Sequence, residues 1–292
     1  MNDIVQSMLQ RYSPKSSLEH ERALCEILQE IALVGLWRGK FFEHAAFYGG
    51  TALRILYGLD RYSEDLDFTL HKAKANFEWA PFAKTIADEF HAYGFEVEFV
   101  EKKKNIESAI KSAFLKTNTL ESMLKIGVLQ SSLKGVHPET LLRIKVEIDT
   151  DPIPGLSLKN QYIEAPIPVS ISTVVESDLF ACKLHAALYR AWKNRVKGRD
   201  WYDVVWFIRR GIPLNLEYLA RCMQYNKVLG EDEPLSTSRL AEIFNNRLNT
   251  LDIEDAKTDV RVFLRDASQL SEWSRDFFLY WFSKIKYTDL KE

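Results

Sequence analysis

Cysteine is scarce in this 292-residue chain, and Cys25, Cys182 and Cys222 are scattered and odd in number, which excludes a disulfide framework and a zinc knuckle. Long apolar runs are missing too. No stretch of about 18 apolar residues exists to cross a membrane as a helix, and the opening MNDIVQSMLQRYSPK lacks a signal-peptide core. Charge of either sign is not in excess: the net charge of −2 excludes a wholesale cationic nucleic-acid binder but not a local basic face. His44, His71, His91, His137 and His185 have no metal-ligand spacing, and no nucleophilic-serine elbow is present. These absences lead to the expectation of a cytoplasmic protein without a membrane partner.

What remains is an ordinary globular composition, 46% hydrophobic and 27% charged, in a chain long enough for two domains. The chain is organised around residues 47 to 70, FYGGTALRILYGLDRYSEDLDFTL, which read as strand, glycine turn, helix and second strand. Alternation in that second strand puts Asp65 and Asp67 on one face and Leu66, Phe68 and Leu70 on the other. Two carboxylates a few ångströms apart repel by roughly 4 kcal/mol at an effective dielectric near 20, so they need a cation, a shared proton or open water. Magnesium fits, because it takes carboxylate oxygens together with substrate phosphate oxygens. Gly49 and Gly50 let the backbone approach a ligand, and a helix starting at Thr51 offers its first amides to a phosphate. With 41 acidic residues, a lone acid-x-acid pattern arises by chance about six times in such a chain. The ordered combination of glycine turn, helix and paired acids is far more specific.

Gly49-Gly50-Thr51-Ala52-Leu53-Arg54, followed by Arg61-Tyr62-Ser63-Glu64-Asp65-Leu66-Asp67-Phe68, resembles the first motif of the AbiEii/AbiGii nucleotidyltransferase toxins, within the DNA polymerase β-like superfamily. Arg54 and Arg61 are within reach of a phosphate on this view, and equally suited to pairing with Glu64 or Asp60.

Elsewhere the pattern is scaffold. Ser16-x-x-Glu19 is a capping box for a helix carrying Leu24, Ile27, Leu28 and Ile31. Residues 77 to 93 are expected to form a helix ended by Gly94, then a strand through FEVEFVE; Lys102-Lys103-Lys104 reads as a solvated loop. A strand near Ala113 to Lys116 and a short helix near Leu120 to Lys125 follow. LLRIKVEID, 141 to 149, alternates cleanly, and its polar face offers Glu147 or Asp149 as a third carboxylate, the family resemblance favouring Asp149. Prolines 152, 154, 166 and 168 punctuate a connection with one strand at Val169 to Ile171. Thr173-x-x-Glu176 reads as a second capping box, opening a helix with Phe180, Leu184, Leu188 and Ala191 on its buried stripe.

Between 183 and 210 lie eight basic and two acidic residues, a local charge of +6. Lys183-Leu184-His185-Ala186 and Arg195-x-Lys197-x-Arg199-Asp200-x-x-Asp203 resemble the later motifs of the same toxins. There the lysine meets nucleotide phosphates and an aspartate helps build the site; Asp200 and Asp203 both match. The plainer alternative is that Asp200 caps a helix ending before Gly211. Residues 214 to 286 read as three or four helices, including Asp252 to Asp266 and Ser271 to Lys286, whose stripe of Trp273, Phe277, Phe278, Trp281 and Phe282 is expected in a core.

The expected fold is therefore α+β: a polymerase β-like domain over 1–175, a mixed sheet flanked by helices, then a helical domain over 176–292 that brings Lys183 and Arg199-Asp200-x-x-Asp203 to an active-site cleft. The resemblance implies a toxin of a bacterial toxin-antitoxin system that transfers a nucleotide from an NTP to an acceptor hydroxyl. Asp65, Asp67 and Asp149 would hold one or two magnesium ions; Gly49, Gly50, Thr51, Arg54, Lys183 and Arg199 would bind the nucleotide. It also implies a cognate antitoxin and, for some members, tRNA as acceptor. A small-molecule or protein hydroxyl as acceptor, and a non-catalytic nucleotide-sensing or partner-binding module, are the competing readings.

Overall fold

Ser16 opens the longest helix as its spacing predicts, its Oγ accepting from the Glu19 amide at 3.2 Å while Glu19 takes the Lys15 amide at 2.5 Å. The computed structural model describes residues 3–102, 108–126, 128, 137, 139–190, 196–231 and 233–288. These residues fall into two compact units: Met1–Gly58 with Tyr62–Pro152 and Leu158–Thr173, and Leu59–Arg61 with Ile153–Ser157 and Val174–Glu292. Among the described residues no helix is long and apolar enough to cross a membrane.

The first unit holds helices α1 (Asp3–Gln10), α2 (Ser17–Arg38), α3 (Gly49–Tyr57), α4 (Ala80–Ala92) and α5 (Thr119–Lys125). Its strands are β1 (Ala45–Tyr48), β2 (Leu66–Leu70), β3 (Glu98–Lys102), β4 (Ile110–Asn118), β5 (Leu141–Asp149), β6 (Leu158–Ile163) and β7 (Val169–Val174). They form one mixed sheet in the order β3-β4-β5-β2-β1-β7-β6. β2 lies between β1, antiparallel to it, and β5, parallel to it, so the acidic strand is central.

Alternation in β2 puts Leu66, Phe68 and Leu70 in the core and leaves Asp67 half-exposed; Asp65, expected in the strand, is half-exposed just before it. Phe68 packs edge-on against Phe41, its ring centroid 4.9 Å away, and Trp79 stacks on Phe41 at 5.7 Å. α2 closes over this core with an almost wholly buried stretch from Glu26 to Leu36. Gly35 makes its crossing with α4 possible, since a Cβ there would sit 2.8 Å from the Ile86 backbone.

Two acids in that buried stretch, Glu26 and Glu30, face arginines. Arg54 reaches Glu26 at 3.0 Å and Arg11 reaches Glu30 at 2.5 Å. Burial pushes Glu30 up to about 7 despite Arg11. Between its ordinary value of 4.5 and about 7 the folded chain therefore keeps a proton that the unfolded chain has released, and stability falls as pH rises through that window. Glu30→Gln is expected to flatten the melting-temperature profile between pH 5 and 8, raising stability relative to the parent at pH 8; identical slopes in both proteins would rule the titration out.

Not every local signal survives. Thr173 is no helix cap: β7 runs on to Val174, and the Thr173 hydroxyl, fully buried, donates to the Phe47 carbonyl at 2.7 Å. The following helix, α6 (Glu176–Tyr189), starts from Val175 without a side-chain cap. Pairing with β1 claimed the threonine for the sheet. The strand expected at 113–116 is longer, because β4 pairs along all of β5, and FEVEFVE is strand only from Glu98. Lys103, Lys104, Ala191, Lys193 and Arg195 lie outside the described residues.

The second unit is helical: α6, α7 (Gly198–Arg209), α8 (Leu216–Tyr225), α9 (Thr237–Asn249), α10 (Ile253–Arg261) and α11 (Arg275–Phe282). Phe180 of α6 stacks on Phe207 of α7 at 4.9 Å, and Trp201 meets Phe278 at 5.2 Å. The expected aromatic core stripe is split: Phe278 and Trp273 are buried, whereas Phe277, Trp281 and Phe282 are half-exposed.

Candidate active-site residues

In the first unit the sequence Tyr48-Gly49 turns β1 into α3. Gly49 has φ +80°, and a Cβ there would lie 2.5 Å from Asp67 Oδ2 and 3.0 Å from Asp67 Cβ. Asp67 thus stands directly over the glycine backbone, opposite Tyr48 in the β1–β2 register. Tyr48, the residue before α3, gives it no side-chain cap, so the helix begins with its amides beside an acidic side chain, where a phosphate with its cation would be accommodated. Gly49→Ala is expected to keep the sheet but displace Asp67 and cost transfer activity at least about 100-fold, from left-handed strain and the Asp67 clash together. Full activity would sink this placement.

Thr51 is fully buried, and its hydroxyl donates to the Asp65 carbonyl and accepts from Ser63 Oγ, the latter at 2.9 Å. That hydroxyl positions the acidic loop, leaving any phosphate contact to the Thr51 amide. Gln29, also buried, donates to the Ser63 and Glu64 carbonyls at 3.1 and 2.9 Å. Two buried side chains from separate helices thereby fix the loop that delivers Asp65. Arg54 turns to Glu26 and lies over the Tyr62 ring at 5.0 Å.

The β2–β5 register decides which β5 carboxylate is nearest. Asp67 is level with Glu147 and Thr69 with Asp149. Paired residues in a parallel ladder share a face about 4.8 Å apart, so Glu147 flanks Asp67 and Asp149 lies about 6.6 Å further along. Glu147 accepts from Ser112 Oγ at 2.8 Å and meets Lys145 at 2.6 Å. Burial raises Asp149 above the usual carboxylate range although the Asp151 amide donates to it. Among the described residues no three His, Cys, Asp or Glu side chains converge to hold a metal. The half-exposed Asp65 and Asp67 carboxylates are of the kind that suits a hard divalent cation drawing its other ligands from phosphate and water.

The second unit gathers a different set. Lys183 of α6 meets Asp203 of α7 at 2.9 Å and Asp200 at 3.5 Å. Arg61 grips Asp203 with two bonds, Nε to Oδ1 at 2.6 Å and Nη2 to Oδ2 at 2.7 Å, and Arg190 holds Asp200 at 3.0 Å. Arg61, Asp200 and Asp203 are all at most 2% exposed. Burial alone would raise Asp203; Arg61 and Lys183 overcome it and hold the carboxylate below its ordinary range. Lys197, whose carbonyl accepts the Asp200 amide, is pushed down to about 8 by burial. Tyr202 donates to Asp60 at 2.8 Å, so residues 59–61 are anchored to α7 twice. Arg199 is engaged elsewhere, 3.8 Å from Asp259 and over the Phe263 ring. The arginine that completes the cluster, Arg61, stands 142 positions from its partner, and no local pattern singles it out.

Solved structures of similar shape include JHP933 from Helicobacter pylori, at 18% identity with a TM-score of 0.51 over 89% of each chain. A second H. pylori structure, described as a candidate nucleotidyltransferase, is 19% identical with a TM-score of 0.51 over 92% of each chain. At such identities these likenesses speak for the fold alone. No curated protein matches the sequence significantly. The sequence profile of the family described as "Nucleotidyl transferase AbiEii toxin, Type IV TA system" matches residues 31–279, which spans both units, the glycine turn, the acid pair and the Lys183 cluster. The chain belongs to the AbiEii nucleotidyl transferase toxin family of type IV toxin–antitoxin systems.

Proposed function

We propose that this nucleotidyltransferase is magnesium-dependent and transfers a nucleotide from an NTP to an acceptor hydroxyl on RNA, tRNA among the candidates. The observation that carries the proposal is the Asp67 carboxylate held over the Gly49 backbone where α3 begins. Asp65 and Asp67 are the residues that would hold the ion, and the ion when bound would neutralise phosphate charge. The amides of Gly50 and Thr51 bind phosphate oxygens. In the reaction the acceptor oxygen bonds to the α-phosphorus, the bond to pyrophosphate breaks, and the hydroxyl proton passes to a carboxylate. Of the two on β5, Glu147 flanks Asp67, while Asp149, raised by burial, is our candidate proton acceptor.

Lys183 is our candidate for the cation that offsets charge developing on pyrophosphate. Two buried aspartates lie against it and occupy two of its three ammonium protons. Asp200, Asp203, Arg61 and Arg190 act as positioning residues around it. Family membership implies an NTP substrate and a cognate antitoxin.

The decisive test incubates the protein with each labelled NTP, with and without magnesium, and with total RNA, an aminoglycoside or a protein fraction. Label is expected on RNA, only with the metal. Label confined to the small molecule or protein would overturn the RNA acceptor, and no label on any acceptor would overturn the enzymatic assignment.

A further inference from the structure

Aromatic rings and cations alternate on one face of the helical unit. On α7, Arg210 lies 4.9 Å from the Trp206 ring centroid. Arg209 projects to α11, 4.9 Å from Trp281 and 5.8 Å from Phe277. Lys284 sits 5.3 Å from the ring of Tyr280, which is 56% exposed. The tail of α11 returns along the end of α7: the Leu214 amide donates to the Lys286 carbonyl at 2.7 Å, and Lys286 Nζ lies beside Gly211. The face is therefore continuous.

Its charge is positive, Arg209, Arg210, Lys284 and Lys286 against Glu272, which lies 3.6 Å from Arg209, and the exposed Asp276. The chain as a whole carries −2. Helix packing leaves these rings half-exposed although Phe278, on the same helix, is buried. Half-exposed rings, each with a cation over its face, match a strand whose bases stack on rings and guanidinium planes and whose phosphates lie beside the cations. An acidic protein segment would use the charges and leave the rings idle.

The geometry points to this face, centred on Tyr280 and Trp281, as a docking surface for a single-stranded RNA segment of the acceptor. The inference rests on the nucleic-acid reading of the acceptor given above. Binding is measured without NTP or metal, by fluorescence anisotropy of a labelled 12-nucleotide RNA at several salt concentrations.

Tyr280→Ala and Trp281→Ala are each expected to weaken binding about tenfold. Arg210→Gln and Lys284→Gln are expected to reduce the slope of log K against log salt by about 0.7 each, the share of one phosphate contact. Lys84→Gln, an exposed lysine of the other unit, is expected to change nothing. Melting temperatures of all variants guard against unfolding, and the two glutamine variants alter only exposed side chains.

Unchanged affinity and slope in folded variants overturn the surface, as does polyglutamate competing as well as RNA, which would mark an acidic protein as the partner. Transfer of label to RNA is assayed separately. Transfer without binding at this face removes only the surface, whereas binding without any transfer removes only the proposed reaction.

Discussion

Asp67→Asn is expected to reduce nucleotide transfer by at least about 10³-fold, equivalent to about 4 kcal/mol of lost transition-state stabilisation, while the fold stays intact. The substitution keeps the side-chain shape over Gly49, so the close approach at that turn is preserved. What it removes, on the proposed reading, is the negative charge that would meet a divalent cation and its phosphates. Asp67 is half-exposed, so no large stability loss accompanies the change; relief of repulsion from Asp65 works slightly the other way. Two measurements check this: transfer of label from NTP at saturating magnesium, and the rise in melting temperature when magnesium and NTP are added together. The parent is expected to show both and the variant neither. A folded variant that retains a tenth or more of parental transfer would take Asp67 out of the reaction.

The largest effect on stability is expected at Asp203. Replacing it by Ala strands Arg61, 2% exposed, and Lys183 beside the remaining Asp200. Removing one member of a buried ion pair leaves a charge without its solvent or its partner, at a cost of about 3–5 kcal/mol. For a helical unit of this size that amounts to a fall in melting temperature of roughly 10–20 °C. Arg61→Lys retains the charge but not the two-pronged grip, and a smaller loss is expected. The double change Arg61→Met, Asp203→Leu is expected to recover much of the deficit, because both charges leave together. Asp203 is held below its usual range, so its contribution is full at neutral pH and fades only as pH falls through that depressed value. A loss below 1 kcal/mol for Asp203→Ala would mean that the cluster is more hydrated than its burial indicates.

Several features were legible from residue order because they depend on neighbours in the chain. Alternation assigns Leu66, Phe68 and Leu70 to a core and Asp65 and Asp67 to the opposite face wherever that strand is placed. The Ser16 cap, the alternating β5 strand and the helix after Gly50 follow from short-range spacing in the same way. Thr173-x-x-Glu176 shows the limit of such signals. Its spacing satisfies a capping box, but a buried bond to the Phe47 carbonyl kept Thr173 in β7.

Other assignments needed partners far apart in the chain. Alternation puts Glu147 and Asp149 on one face without ranking them, and only the β2–β5 register sets Glu147 level with Asp67. Arg54 and Arg61 look alike as basic residues near the motif, yet one is drawn to Glu26 on α2 and the other to Asp203 on α7.

By itself the sequence determined the family motif, the element faces and the presence of an acid pair after a glycine turn, since period and turn chemistry are properties of adjacent residues. The tertiary structure alone decided the strand register beside Asp67, the burial that binds Asp203 to Arg61 and Lys183, and the internal use of the Thr51 hydroxyl. Those outcomes depend on which distant side chains share a dehydrated space, where an unpaired charge or hydroxyl is too costly to leave.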